Sequence, residues 1–121
     1  CYVVSEPKKD EGNYSRRGDI YFLVTHRPSG KVFNEISIIT GYTYAPGEEP
    51  TATIGSQSFK FYSEGDAAWA FSKDESSLIS AMKKGSTMVV RGKSNRGTNT
   101  KDTYSLSGIT AAMNAIDKEC R

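Results

Sequence analysis

The chain of 121 residues is poor in the side chains that most often carry chemistry: it holds one histidine, two cysteines and one tryptophan. The cysteines are Cys1 and Cys120, the first and the second-last residues, and neither has a Cys or His neighbour. That ligand count excludes a zinc site. The wide separation excludes a redox pair of the thioredoxin type, which needs close spacing. Long apolar runs are also missing. Ile20-Tyr21-Phe22-Leu23-Val24 is the longest, far short of a membrane span. No glycine fingerprint for phosphate is present, because Gly92-Lys93-Ser94 lacks the glycine that should stand five residues earlier. The adjacent acids Asp10-Glu11, Glu48-Glu49 and Asp74-Glu75 lack the alternating spacing of a calcium loop. No metal and no cofactor is expected. There is neither an initiator Met nor a signal peptide before Cys1, the expectation for a processed or trimmed chain.

What is present describes a soluble globular domain, with 36% hydrophobic and 25% charged residues, and the length suits one domain over residues 1–121. A net charge of +2 does not argue for nucleic acid. Its distribution says more. Between Ser76 and Lys101 the chain carries six cations, Lys83, Lys84, Arg91, Lys93, Arg96 and Lys101, and no acid. This block is either a solvated basic surface or an anion-facing patch.

The dominant period is two. Residues 20–25, 36–41, 59–62, 68–71, 87–93 and 102–106, with Tyr2-Val3-Val4 at the front, alternate as short strands. Turn signals such as Pro28-Ser29-Gly30, Pro46-Gly47, Glu64-Gly65-Asp66 and Arg96-Gly97 punctuate them. About seven short strands with such turns predict a sandwich or a barrel. Two segments switch to helical spacing, at about 74–84 and 108–119. The first takes Asp74 or Ser76 as its cap, Leu78, Ile79 and Met82 as its apolar face, and Gly85 as its C′ residue. In the second, Ile109, Ala112, Met113, Ile116 and Cys120 share one face, which aims Cys120 at the core. The economical reading of the cysteines is one Cys1–Cys120 disulfide, a bond that persists only in an oxidising compartment. The other reading makes Cys1 the lipidated first residue of a bacterial lipoprotein and leaves Cys120 unpaired.

No catalytic residues are assigned. His26 lies at a strand end with no flagged serine near it in sequence. Ser80-Ala81-Met82-Lys83 has serine–lysine spacing, but that chemistry puts its serine at a helix N-terminus and Ser80 falls well inside the predicted helix. Two other stretches invite a binding reading. Arg17-Gly18-Asp19 spells an integrin-receptor tripeptide, although Asp19 abuts the apolar run and Gly18 has a local role as the turn that ends a polar loop. The segment Ser94–Lys101, rich in Ser, Asn, Thr and Gly, reads either as a flexible hairpin loop or as a basic tip that meets anionic groups.

Four stretches together carry a family resemblance: "CYVVSEPKK", "RRGDIYFLVTHRP" with "NEISIITGY", "GDAAWAFSKDESSLISAMKKGSTMVVRGKSNRGT", and "DTYSLSGITAAMNAIDKEC". They resemble the invasion-associated locus B family of bacterial envelope proteins, from Cys1 to Cys120. The resemblance implies an immunoglobulin-like β-sandwich, export to the periplasm or envelope, and an association with bacterial invasion of host cells. It brings no catalytic residue and no defined ligand. The expected function is non-catalytic binding through the surface, to a protein, a glycan or an anionic envelope component. A periplasmic enzyme, or an inhibitor or chaperone, is the alternative.

Overall fold

A computed structural model describes residues 1–121. The elements in chain order are β1 (Tyr2–Ser5), β2 (Lys9–Gly12), β3 (Tyr21–Arg27), β4 (Val32–Ile39), β5 (Thr51–Ile54), β6 (Gln57–Glu64), β7 (Ala67–Ala70), α1 (Glu75–Lys84), β8 (Thr87–Lys93), β9 (Asn99–Ser105) and α2 (Ile109–Cys120). The strands form one antiparallel sheet in the order β1-β3-β4-β7-β6-β5-β8-β9-β2.

This corrects the expected seven-strand immunoglobulin-like sandwich: the protein is mainly β, but its nine strands make a single curled sheet. The reason lies in β6 and in two strands that alternation did not reveal. Residues Gln57–Lys60 of β6 pair with β5, and Phe61–Glu64 pair with β7. One long strand therefore continues what would otherwise be two sheets. The curl is tight. Phe22 on β3 and Tyr104 on β9 are far apart in strand order, yet their rings meet edge to face at 5.7 Å. The two edge strands, β1 and β2, are separated in sequence only by Glu6, Pro7 and Lys8, and a chain that short spans at most about 14 Å.

The inward face follows from the period-two pattern. Phe22, Val24 and His26 point in from β3, Ile36 and Ile38 from β4, Phe59 and Phe61 from β6, Met88 and Val90 from β8, and Asp102 and Tyr104 from β9. The two helices cover one end of this interior, where β3 finishes and β4 begins. Leu78, Ile79, Ala81 and Met82 of α1 and Met113 and Ile116 of α2 are buried there. Each large side chain fully buried in this way contributes about 1.5–3 kcal/mol.

Helix details differ from the sequence expectation. Asp74 is the N-cap residue of α1 but makes no side-chain capping bond. Gly85 has φ −87°, so it is not a left-handed C′ residue. A Cβ there would lie 2.5 Å from Ile54 Cγ2, and close packing therefore requires the glycine. Cys1 and Cys120 are disulfide-bonded with Cα atoms 6.1 Å apart, which ties α2 to the start of β1. No helix is long and apolar enough to cross a membrane.

Candidate functional site

The end of the curled sheet opposite the helices is closed by a polar network rather than by apolar side chains. At its centre is Arg17. Its guanidinium binds both carboxylate oxygens of Asp102, at 2.7 and 2.6 Å, and donates to the Thr40 carbonyl at 2.8 Å and the Thr40 hydroxyl at 3.1 Å. The side chains of Arg17 and Asp102 are only 4% and 2% exposed. Tyr14 and Tyr42 flank the guanidinium, with ring centroids 5.4 and 5.0 Å away. Burial opposes the charge on Arg17, but the hydrogen bonds to Asp102 outweigh it and hold its pKa above the ordinary arginine value. Burial holds the Asp102 carboxyl above the ordinary carboxylate range, and the hydrogen bonds from Arg17 offset only part of that rise. Fork geometry of this kind keeps such a pair ionised.

Two glycines let the segment before β3 approach this end. The Gly18 N–H donates to the Gly41 carbonyl at 2.9 Å. Gly41 has φ +79°, and a Cβ on it would meet the Gly18 carbonyl oxygen at 2.5 Å.

Beside this network lies a cleft of about 460 Å³. It is lined from three segments, 13–17 before β3, 42–43 after β4 and 94–98 between β8 and β9 (Gly97 excepted), and by Thr100. Segment 94–98 is the hairpin connection between β8 and β9, and hydrogen bonds tie it to its surroundings. Buried Ser94 accepts from the N–H groups of Arg96 and Thr98 at 3.3 and 3.1 Å, and the Asn95 N–H donates to the Thr43 carbonyl at 2.8 Å. The Thr98 hydroxyl reaches the Asn13 carbonyl at 3.4 Å, and the hydroxyls of Tyr42 and Thr100 share a 2.7 Å bond. The Tyr14 hydroxyl donates to Asp10, outside the cleft. No acid lines the cleft, while Arg16 and Arg96 stand exposed at it and neither is in an ion pair.

The six cations read from sequence as a candidate anion patch are not all brought together. Arg96 joins the cleft, in the company of Arg16, which sequence reasoning had not selected. Arg91 and Lys101 face each other across β8 and β9, and Lys101 also faces Glu11 on β2. The shallow groove around them includes Glu11, Glu48 and Glu49, so their charge is locally offset. Lys93 is exposed on β8 opposite Asn99. Lys83 and Lys84 lie on α1, Lys83 in a groove with Asp117 and Arg121 near the helix-covered end.

The tripeptide Arg17-Gly18-Asp19 is not displayed as a unit. Asp19 is exposed, but the Arg17 side chain is committed to Asp102 and Gly18 to Gly41. A receptor that needs the arginine would first have to break a buried ion pair.

His26 is fully buried with both ring nitrogens in use. Nδ1 accepts from the Asn34 N–H at 3.0 Å, and Nε2 lies 2.7 Å from Asp117 Oδ1, which fixes the proton on Nε2. The hydrogen bond to His26 holds the Asp117 carboxyl below the ordinary carboxylate range. His26 thus fastens α2 to β3 beside the disulfide.

Fold and site together define a mainly β, disulfide-clasped domain with a cationic, hydroxyl- and amide-lined cleft at one end. The chain belongs to the invasion associated locus B (IalB) family, whose model matches residues 1–117. No curated protein and no solved structure matches the chain.

Proposed function

We propose that the protein is an exported, non-catalytic binding protein of the bacterial envelope that contributes to invasion of host cells by holding a ligand in the cleft between residues 13–17, 42–43 and 94–98. The observation that carries this reading is the preformed cleft itself. Its walls are pinned by the Arg17–Asp102 pair and by the Ser94 turn, while Arg16, Arg96, Asn13 and Asn95 remain at its lining. Such preorganisation lowers the ordering cost of binding. The disulfide supports export, since it persists only in an oxidising compartment. Family membership supports the link to invasion. Against an enzymatic reading weighs the buried His26, which has no free nitrogen to offer a substrate.

The test is invasion of cultured host cells by bacteria that carry Arg16→Ala and Arg96→Ala together. The double variant is expected to fold and be exported normally and to lose most of the invasion that the wild-type protein supports. Normal invasion by bacteria carrying the folded double variant would overturn the reading.

A further inference from the structure

The lining of the cleft is selective enough to name a ligand class. Its volume, about 460 Å³, falls within the range of small-molecule pockets, about 300–1,000 Å³. Two of its twelve lining residues, Tyr14 and Tyr42, are hydrophobic. An apolar or largely aromatic ligand would therefore strand the amides and hydroxyls around it without partners. A cationic ligand would meet Arg16 and Arg96 with no acid among the lining residues, and the buried Asp102 behind them is consumed by Arg17.

A bare anion would satisfy the two free arginines but leave the rest of the wall unused. That wall offers the Asn13 and Asn95 amides and the Ser15, Thr43 and Thr98 hydroxyls, groups that can both donate and accept. The ligand that matches every part is a hydroxylated ring bearing a negative charge. Guanidinium forks recognise planar carboxylates and phosphates in two-point fashion. Half-buried Tyr14, which lines the cleft, adds aromatic surface for the carbon skeleton of a sugar.

We propose that the cleft bounded by Arg16, Arg96, Asn13, Asn95 and Tyr14 is an anionic-saccharide site, in which the two unpaired arginines take the carboxylate or phosphate and the amides and hydroxyls take the ring hydroxyls. This rests on the reading of the cleft as the functional surface. Because both arginines are exposed, binding weakens as salt is raised.

The test is titration of the whole, oxidised protein, followed by backbone amide NMR signals, with four probes: D-glucuronate, D-glucose 6-phosphate, D-glucose and acetate. Glucuronate, glucose 6-phosphate or both are expected to shift the amides of residues 13–17, 42–43 and 94–98 saturably. Which of the two does so decides between a carboxylated and a phosphorylated sugar. Glucose and acetate are expected to bind at least about tenfold more weakly, since each carries only half of the recognised chemistry. Arg16→Gln with Arg96→Gln is expected to weaken the charged sugar by about tenfold while signals elsewhere stay in place. The proposal is overturned if neither charged sugar moves these amides, or if acetate moves them as strongly as glucuronate does. Should the sugars fail while the double alanine variant still abolishes invasion, the function stands and the ligand class falls. Should the sugars bind while that variant invades normally, the site stands and the function falls.

Discussion

Arg17→Met is the substitution from which the structure forecasts the largest specific effect. Methionine keeps much of the side-chain length but removes both hydrogen bonds to Asp102 and both to Thr40. Asp102, only 2% exposed, is left without a counter-charge, so it is either buried charged or takes up a proton, and both cost stability. Breaking a buried pair in this way costs about 3–5 kcal/mol. For a chain of 121 residues, that corresponds to a fall in Tm of about 12–20 °C. Trp69 is the only tryptophan and stacks on Tyr62, so its fluorescence reports urea unfolding directly. The double variant Arg17→Met/Asp102→Leu removes the stranded charge as well and should recover a large part of the loss. Asp19→Ala, at the exposed end of the same tripeptide, should cost less than about 0.5 kcal/mol. A cost below about 1 kcal/mol for Arg17→Met, or no recovery in the double variant, would refute a structural role for the pair.

Three further outcomes follow from other parts of the molecule. Reducing the Cys1–Cys120 bond, which closes nearly the whole chain, should lower stability by up to about 4–5 kcal/mol in the chain-entropy account, with the amides of α2 exchanging first; equal protection of α2 in both redox states would count against the clasp. The Asp117 carboxyl is held below its ordinary range by the hydrogen bond to His26, so its contribution is present above the unfolded-state value of about 3.9 and is lost as pH falls through the lower folded-state value. Asp117→Asn should therefore flatten the acid side of the stability profile, and an unchanged profile would contradict the assignment. The Tyr104 hydroxyl is buried without a hydrogen-bond partner, so Tyr104→Phe should leave the urea midpoint unchanged or raise stability by up to about 1 kcal/mol, whereas a clear loss would mean that the hydroxyl has a partner.

Much of the fold was legible because burial leaves a period in the sequence. Ile36 and Ile38, or Met88 and Val90, announce their strands by alternation, and Met113 and Ile116 announce a helix by theirs. Two strands carried no such mark. Lys9-Asp10-Glu11-Gly12 is an edge strand paired only with β9, and none of its residues belongs to the core. Thr51–Ile54 alternates correctly, but one of its two inward residues is Ala52, whose small side chain gives a weak signal. Without β5 the two pairings of β6 cannot be joined, so the strand pattern alone leaves a sandwich or a barrel open, and the immunoglobulin-like form is what the family resemblance implies.

The site was less legible. Arg96 was visible within a basic segment, but its neighbour Arg16 comes from a stretch that reads as polar loop. Arg17 and Asp102 are 85 residues apart, and no local pattern in one sequence links them. The basic block is only partly a spatial cluster. From sequence, Arg91 and Lys101 belong to a block that is either a solvated basic surface or an anion-facing patch, and strand pairing sets them near Glu11.

The proposed role is to hold a ligand in the cleft beside the Arg17–Asp102 pair. Its most direct test is photo-crosslinking in living bacteria during contact with host cells, with the photoreactive residue placed at Asn95 in the cleft or at exposed Lys60 on β6. A defined adduct from position 95 and none from position 60 is the predicted result. Adducts from position 60 alone, or from both or neither position, would contradict it.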